Sequence, residues 1–168
     1  MASELELLAS IYLDEEGANT ILDALQRMHR HGTITLADAA MVTKDDHGKL
    51  HIKETREVTA GKGARRGAIV TGVLGLIYPP SLIATVLVGG AIGAAWGRLR
   101  DTGIKTGSMK ELGTSLKPGN AAVVALAEPG YVDLIVRTME AYPKEFLRHA
   151  FTAEEAAQIE EAAATEER

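Results

Sequence analysis

Between Arg66 and Arg98 the chain runs for 31 residues without a charge, GAIVTGVLGLIYPPSLIATVLVGGAIGAAWG, although 24% of all its residues are charged. A segment with no polar side must be covered on every side, by protein or by lipid. It is also rich in glycine, since 9 of the 17 glycines fall between Gly61 and Gly97. Each glycine costs a helix interior about 0.8 to 1 kcal/mol relative to Ala, so a compensating use is expected. The spacing supplies one. Gly63, Gly67, Thr71 and Gly75 stand four apart, and beyond Pro79-Pro80 so do Thr85, Gly89, Gly93 and Gly97. On a helix each set makes a ridge stripped of bulk, letting two backbones approach closer than the usual separation of roughly 8 to 10 Å. The double proline breaks the helix between the arms. The pattern therefore predicts a glycine-zipper helical hairpin over residues 61–100.

A hairpin brings its ends together and would gather Lys62, Arg65, Arg66, Arg98 and Arg100 at one base. Such a base suits anionic headgroups on the cytoplasmic side of a membrane, or equally keeps an apolar hairpin soluble during synthesis. As helices, Gly67–Tyr78 and Ser81–Gly97 would extend roughly 18 and 26 Å. Both fall short of the roughly 30 Å hydrocarbon core, so two clean spans are not expected. Three arrangements stay open: a tilted or re-entrant membrane hairpin, hairpins buried between sister subunits, and two tightly packed helices within one subunit.

Around this segment the sequence reads as α+β. Leu5, Leu7, Ala9, Ile11 and Leu13 alternate with Glu6, Ser10 and Tyr12, predicting a strand with one wet face. Asp14 stands where an N-cap belongs, Glu15 and Glu16 suit the positive end of a helix, and Ala18, Ile21, Leu22, Leu25 and Met28 recur at helical spacing up to Gly32. Thr33–Thr43 and Leu50–Val58 are β-rich segments joined by the turn-forming run 44–49. Ser108–Glu111 has capping-box spacing, Lys117-Pro118-Gly119 stops that helix, and the apolar Asn120–Ala127 fits a central strand. Pro129 opens a helix with a stripe of Val132, Ile135, Val136 and Met139, Lys144–Phe151 forms a last strand, and Thr152–Glu155 starts an acidic C-terminal helix. Two strand–helix–strand passages imply a ferredoxin-like sandwich divided as 1–60, hairpin 61–100, 101–152 and C-terminal helix 153–168.

Composition removes several functions. There is no cysteine, hence no thiol nucleophile or zinc–thiolate site. A net charge of -5 and few aromatic residues disfavour nucleic acid as a partner. The start lacks a basic n-region followed by an apolar run, so an intracellular protein is expected. Asp45, Asp46, His47 and His51 crowd one turn, where such residues are usually just solvated, and no metal or other cofactor is assigned. No phosphate loop or paired acid–base set is legible.

The stretch from GARRG through LIYPPSLIATVLVGGAIGAAWG, followed by KELGTSLKPGNAAVVAL, resembles a bacterial and archaeal family of predicted membrane proteins, the domain of unknown function twelve-sixty-nine. The resemblance implies a ferredoxin-like domain interrupted by a Gly/Ala-rich hairpin, then a short helix ending in the turn Leu116–Gly119. It implies no catalytic residues. The expectation is a non-enzymatic protein that self-associates through its hairpin at the cytoplasmic membrane, with anionic lipid as a further partner. The alternatives are a soluble cytoplasmic homo-oligomer, and a small-ligand sensor or enzyme on the same fold. The C-terminal helix, with Glu154, Glu155, Glu160, Glu161, Glu166 and Glu167 against one Arg, is expected to be solvated or to cover the basic hairpin base.

Overall fold

The computed structural model describes residues 5–54, 83–86, 114–140, 145–155 and 157–158. Its frame is α+β. The elements are β1 (Leu5–Tyr12), α1 (Glu15–Arg30), β2 (Leu36–Lys44), β3 (Leu50–Glu54), β4 (Ile83–Val86), β5 (Ala121–Ala127), α2 (Val132–Met139) and β6 (Glu145–Phe151). The six strands form one sheet in the order β4-β3-β2-β5-β1-β6. Every neighbouring pair is antiparallel except β3 and β4, which run parallel. Strands from before and after the Gly-rich segment thus interleave, with β5 inserted between β1 and β2.

Local chemistry explains the helix ends. Asp14, in extended conformation, caps α1 by accepting from the Gly17 amide at 2.8 Å, while Glu15 and Glu16 face the positive end of the helix. At the other end Gly32 takes φ 75°, Thr33 N donates to Met28 O and Gly32 N to His29 O, the two bonds of a Schellman motif. Before β5 the turn Lys117–Asn120 closes through Asn120 N on Lys117 O, with Gly119 at φ 88°. The capping box at Thr152 forms as expected: Glu155 N donates to Thr152 Oγ1 at 3.1 Å and Thr152 N to Glu155 Oε2 at 2.9 Å.

Both helices lie on one face of the sheet. Ala18, Ile21, Leu22 and Leu25 of α1 and Val132, Ile135 and Met139 of α2 pack with Leu8, Tyr12, Ala39, Met41, Ala121, Val123, Ala125 and Ala127 in one core. This corrects the reading of β1 as a strand with a wet side. Leu8, Ser10 and Tyr12 lie under the helices, and all eight residues of β1 are buried. The strand ends at Tyr12, which leaves Leu13 73% exposed. The other face carries Leu7 beside Leu126, Val124 between Ala9 and Ala40, and Ala122 between Ile11 and Val42. It is buried as completely as the first.

The second arm of the expected hairpin also needs correction. Ile83–Val86 is a strand, with Leu50 opposite Ile83, His51 opposite Thr85 and Ile52 opposite Val86. Thr85 therefore does not begin a helical seam. Three of these four residues are β-branched, and their stiff side chains pack better on a pleated edge than along a helix. The rest of 61–100, the capping box at Ser108–Glu111 and the distal C-terminal helix lie outside the described residues.

Candidate functional site

Sequence reasoning placed the site in the Gly-rich segment. Of those residues only Thr85 is described, on the sheet edge beside β3. Gly63, Gly67, Thr71, Gly75, Pro79, Pro80, Gly89, Gly93 and Gly97 lie outside the described residues, as do Lys62, Arg65, Arg66, Arg98 and Arg100. The polar chemistry of the described frame gathers elsewhere.

A cavity of about 510 Å³ opens at the end of the sheet where β1 and β2 finish and β5 begins, lined by Asp14, Glu15, Glu16, Thr43, Lys44, Gly119 and Asn120. Its side chains have structural uses. Asp14 caps α1, Lys44 Nζ donates to Leu116 O at 3.0 Å, and Asn120 Nδ2 donates to Leu13 O at 3.2 Å. These contacts tie the loop before β5 to the ends of β1 and β2. The three acids suit the helix terminus they occupy.

The β2–β3 turn is organised by Asp45. Its Oδ1 accepts from His47 N and Lys49 N, both at 2.9 Å, and its Oδ2 lies 2.9 Å from His51 Nε2. Gly48, at φ 78°, completes the turn. The His51 hydrogen bond first, and then the backbone amides, hold the Asp45 carboxyl down at about 2. A carboxylate so engaged fixes a hairpin. Among the described residues no group of three or more His, Cys, Asp or Glu is placed to hold a metal ion.

Three features of the frame escaped the sequence reading. Ser10 Oγ donates to the Tyr12 hydroxyl at 2.8 Å, and that hydroxyl donates to Met139 O, tying the end of α2 to β1. Burial pushes the Tyr12 phenol above its ordinary range, only partly offset by Ser10. Glu6 and Arg148 form a two-point pair at 2.5 and 3.1 Å across β1 and β6, and the hydrogen bond to Glu6 raises the guanidinium further. Asp38 is fully buried where the β2–β5 register shifts, on the face away from the helices, and its Oδ1 accepts from Ala39 N at 2.9 Å. An aspartate inside the apolar run LADAAMV was the visible signal for this last feature.

No helix among the described residues is long and apolar enough to cross a membrane. The architecture is that of an α+β protein whose sheet is interrupted, between β3 and β5, by a Gly-rich uncharged segment. Residues 64–164 match the family described as Protein of unknown function (DUF1269), and the chain belongs to that family. The match begins after β3, so the first four elements lie outside it. No curated protein and no solved structure matches.

Proposed function

We propose that this chain is a non-enzymatic, self-associating protein and that its uncharged segment, residues 67–97, supplies the contact between copies. The observation that carries the reading is a run of 31 uncharged residues set between β3 and β5, of which only Ile83–Val86 is described, as strand β4 of the sheet. The strand order β2-β5-β1-β6, with two helices on one face, supports reading that frame as a ferredoxin-like sandwich. The small-residue spacing, Gly89, Gly93 and Gly97 above all, supports close packing of one backbone on another.

Burial between subunits is favoured over insertion across a bilayer. Strand β4 divides the uncharged run into 67–82 and 87–97, which as helices would reach roughly 24 and 16 Å. Neither piece matches a hydrocarbon core of roughly 30 Å. Attachment to the cytoplasmic face of a membrane is the second reading, supported by Lys62, Arg65, Arg66, Arg98 and Arg100 flanking the run, which suit anionic lipid.

Light scattering on the purified chain without detergent tests the first reading. An oligomer is expected, with Gly93→Leu shifted to smaller species because added bulk drives backbones apart. A monomer at every concentration overturns it. Co-sedimentation with vesicles containing anionic lipid tests the second, and binding that is absent at low salt removes it.

A further inference from the structure

We draw no further inference here: the strongest candidate, the cavity at the start of α1 lined by Asp14, Glu15, Glu16 and Lys44, is an acidic cluster at a helix end where Asp14 already caps α1 and Lys44 already holds the Leu116 carbonyl, and nothing among the described residues points to a ligand there.

Discussion

The two faces of the sheet are equally buried but differently built. On the helix face the strands contribute Ala39, Ala121, Ala125 and Ala127 beside Leu8, Met41 and Val123, and two amphipathic helices supply the bulk. Those helices turn Asp23, Arg27, Asp133 and Arg137 to solvent, so each has one apolar stripe and one wet side. The opposite face mixes Leu7, Ile11, Val42, Val124 and Leu126 with Ala9, Ala40 and Ala122, and it holds one buried aspartate. A cover with a polar back announces its orientation in the sequence, because periodicity records which side is dry. Neither α1 nor α2 packs on the opposite face, so no such record exists for it among the described residues.

The largest expected effects come from comparing the faces directly. Leu25, on α1, and Leu126, on β5, are both fully buried. Leu25→Ala and Leu126→Ala should each lower the unfolding free energy by about 2 to 5 kcal/mol, measured by urea denaturation, because each leaves a cavity that the neighbours fill only partly. Equal losses mean equally tight covers. A loss at Leu126 below about 1 kcal/mol, with Leu25 in the usual range, would mean that the second face is loosely covered despite its burial.

A smaller effect probes the polar tie beneath α2. Tyr12→Phe keeps the ring but removes the hydroxyl that accepts from Ser10 and donates to Met139 O. Both partners then stand buried and unsatisfied, so the change should cost about 1 to 3 kcal/mol. Adding Ser10→Ala removes one of the orphaned groups and should restore part of the loss. An additive double variant would mean that the two hydroxyls act independently.

Much of the frame was legible, for reasons that individual residues make plain. Asp14, Gly32, Gly119 and the Thr152–Glu155 box are short-range signals, whose partners lie within five residues, and each does what its chemistry predicts. The seven apolar residues of β5 read as a central strand, and β5 is paired on both sides. Alternation misled in β1, because Ser10 and Tyr12 count as polar by type yet satisfy each other and a helix carbonyl inside the core. Helical spacing misled at Thr85, where small and β-branched residues four apart also fit an edge strand. The polar sites of the frame were the least legible. Glu6 meets Arg148 across 142 positions of sequence, and no local pattern records such a pairing.

The smallest effect concerns the turn that leads into β3. Asp45 holds the β2–β3 turn through two amides and His51, and its carboxyl is lowered from 3.8 to about 2. A carboxyl depressed on folding stabilises the native state fully above its unfolded value and loses that contribution as pH falls through the folded one. Asp45→Asn keeps an acceptor for the amides but removes the charge opposite His51, so the variant should be the weaker protein near neutrality. From about pH 5 towards pH 2 the gap in urea midpoint should close, because only the wild-type chain loses a charge at this position. Amide exchange should then locate the loosening. As pH falls, His47, Lys49 and the residues of β3 should lose protection, after correction for intrinsic rates, before Leu22 and Leu25 of α1 do. If α1 opens together with β3, the two sides of the sheet form one cooperative unit. If β3 opens first, the turn at Asp45 limits how firmly the second face is held.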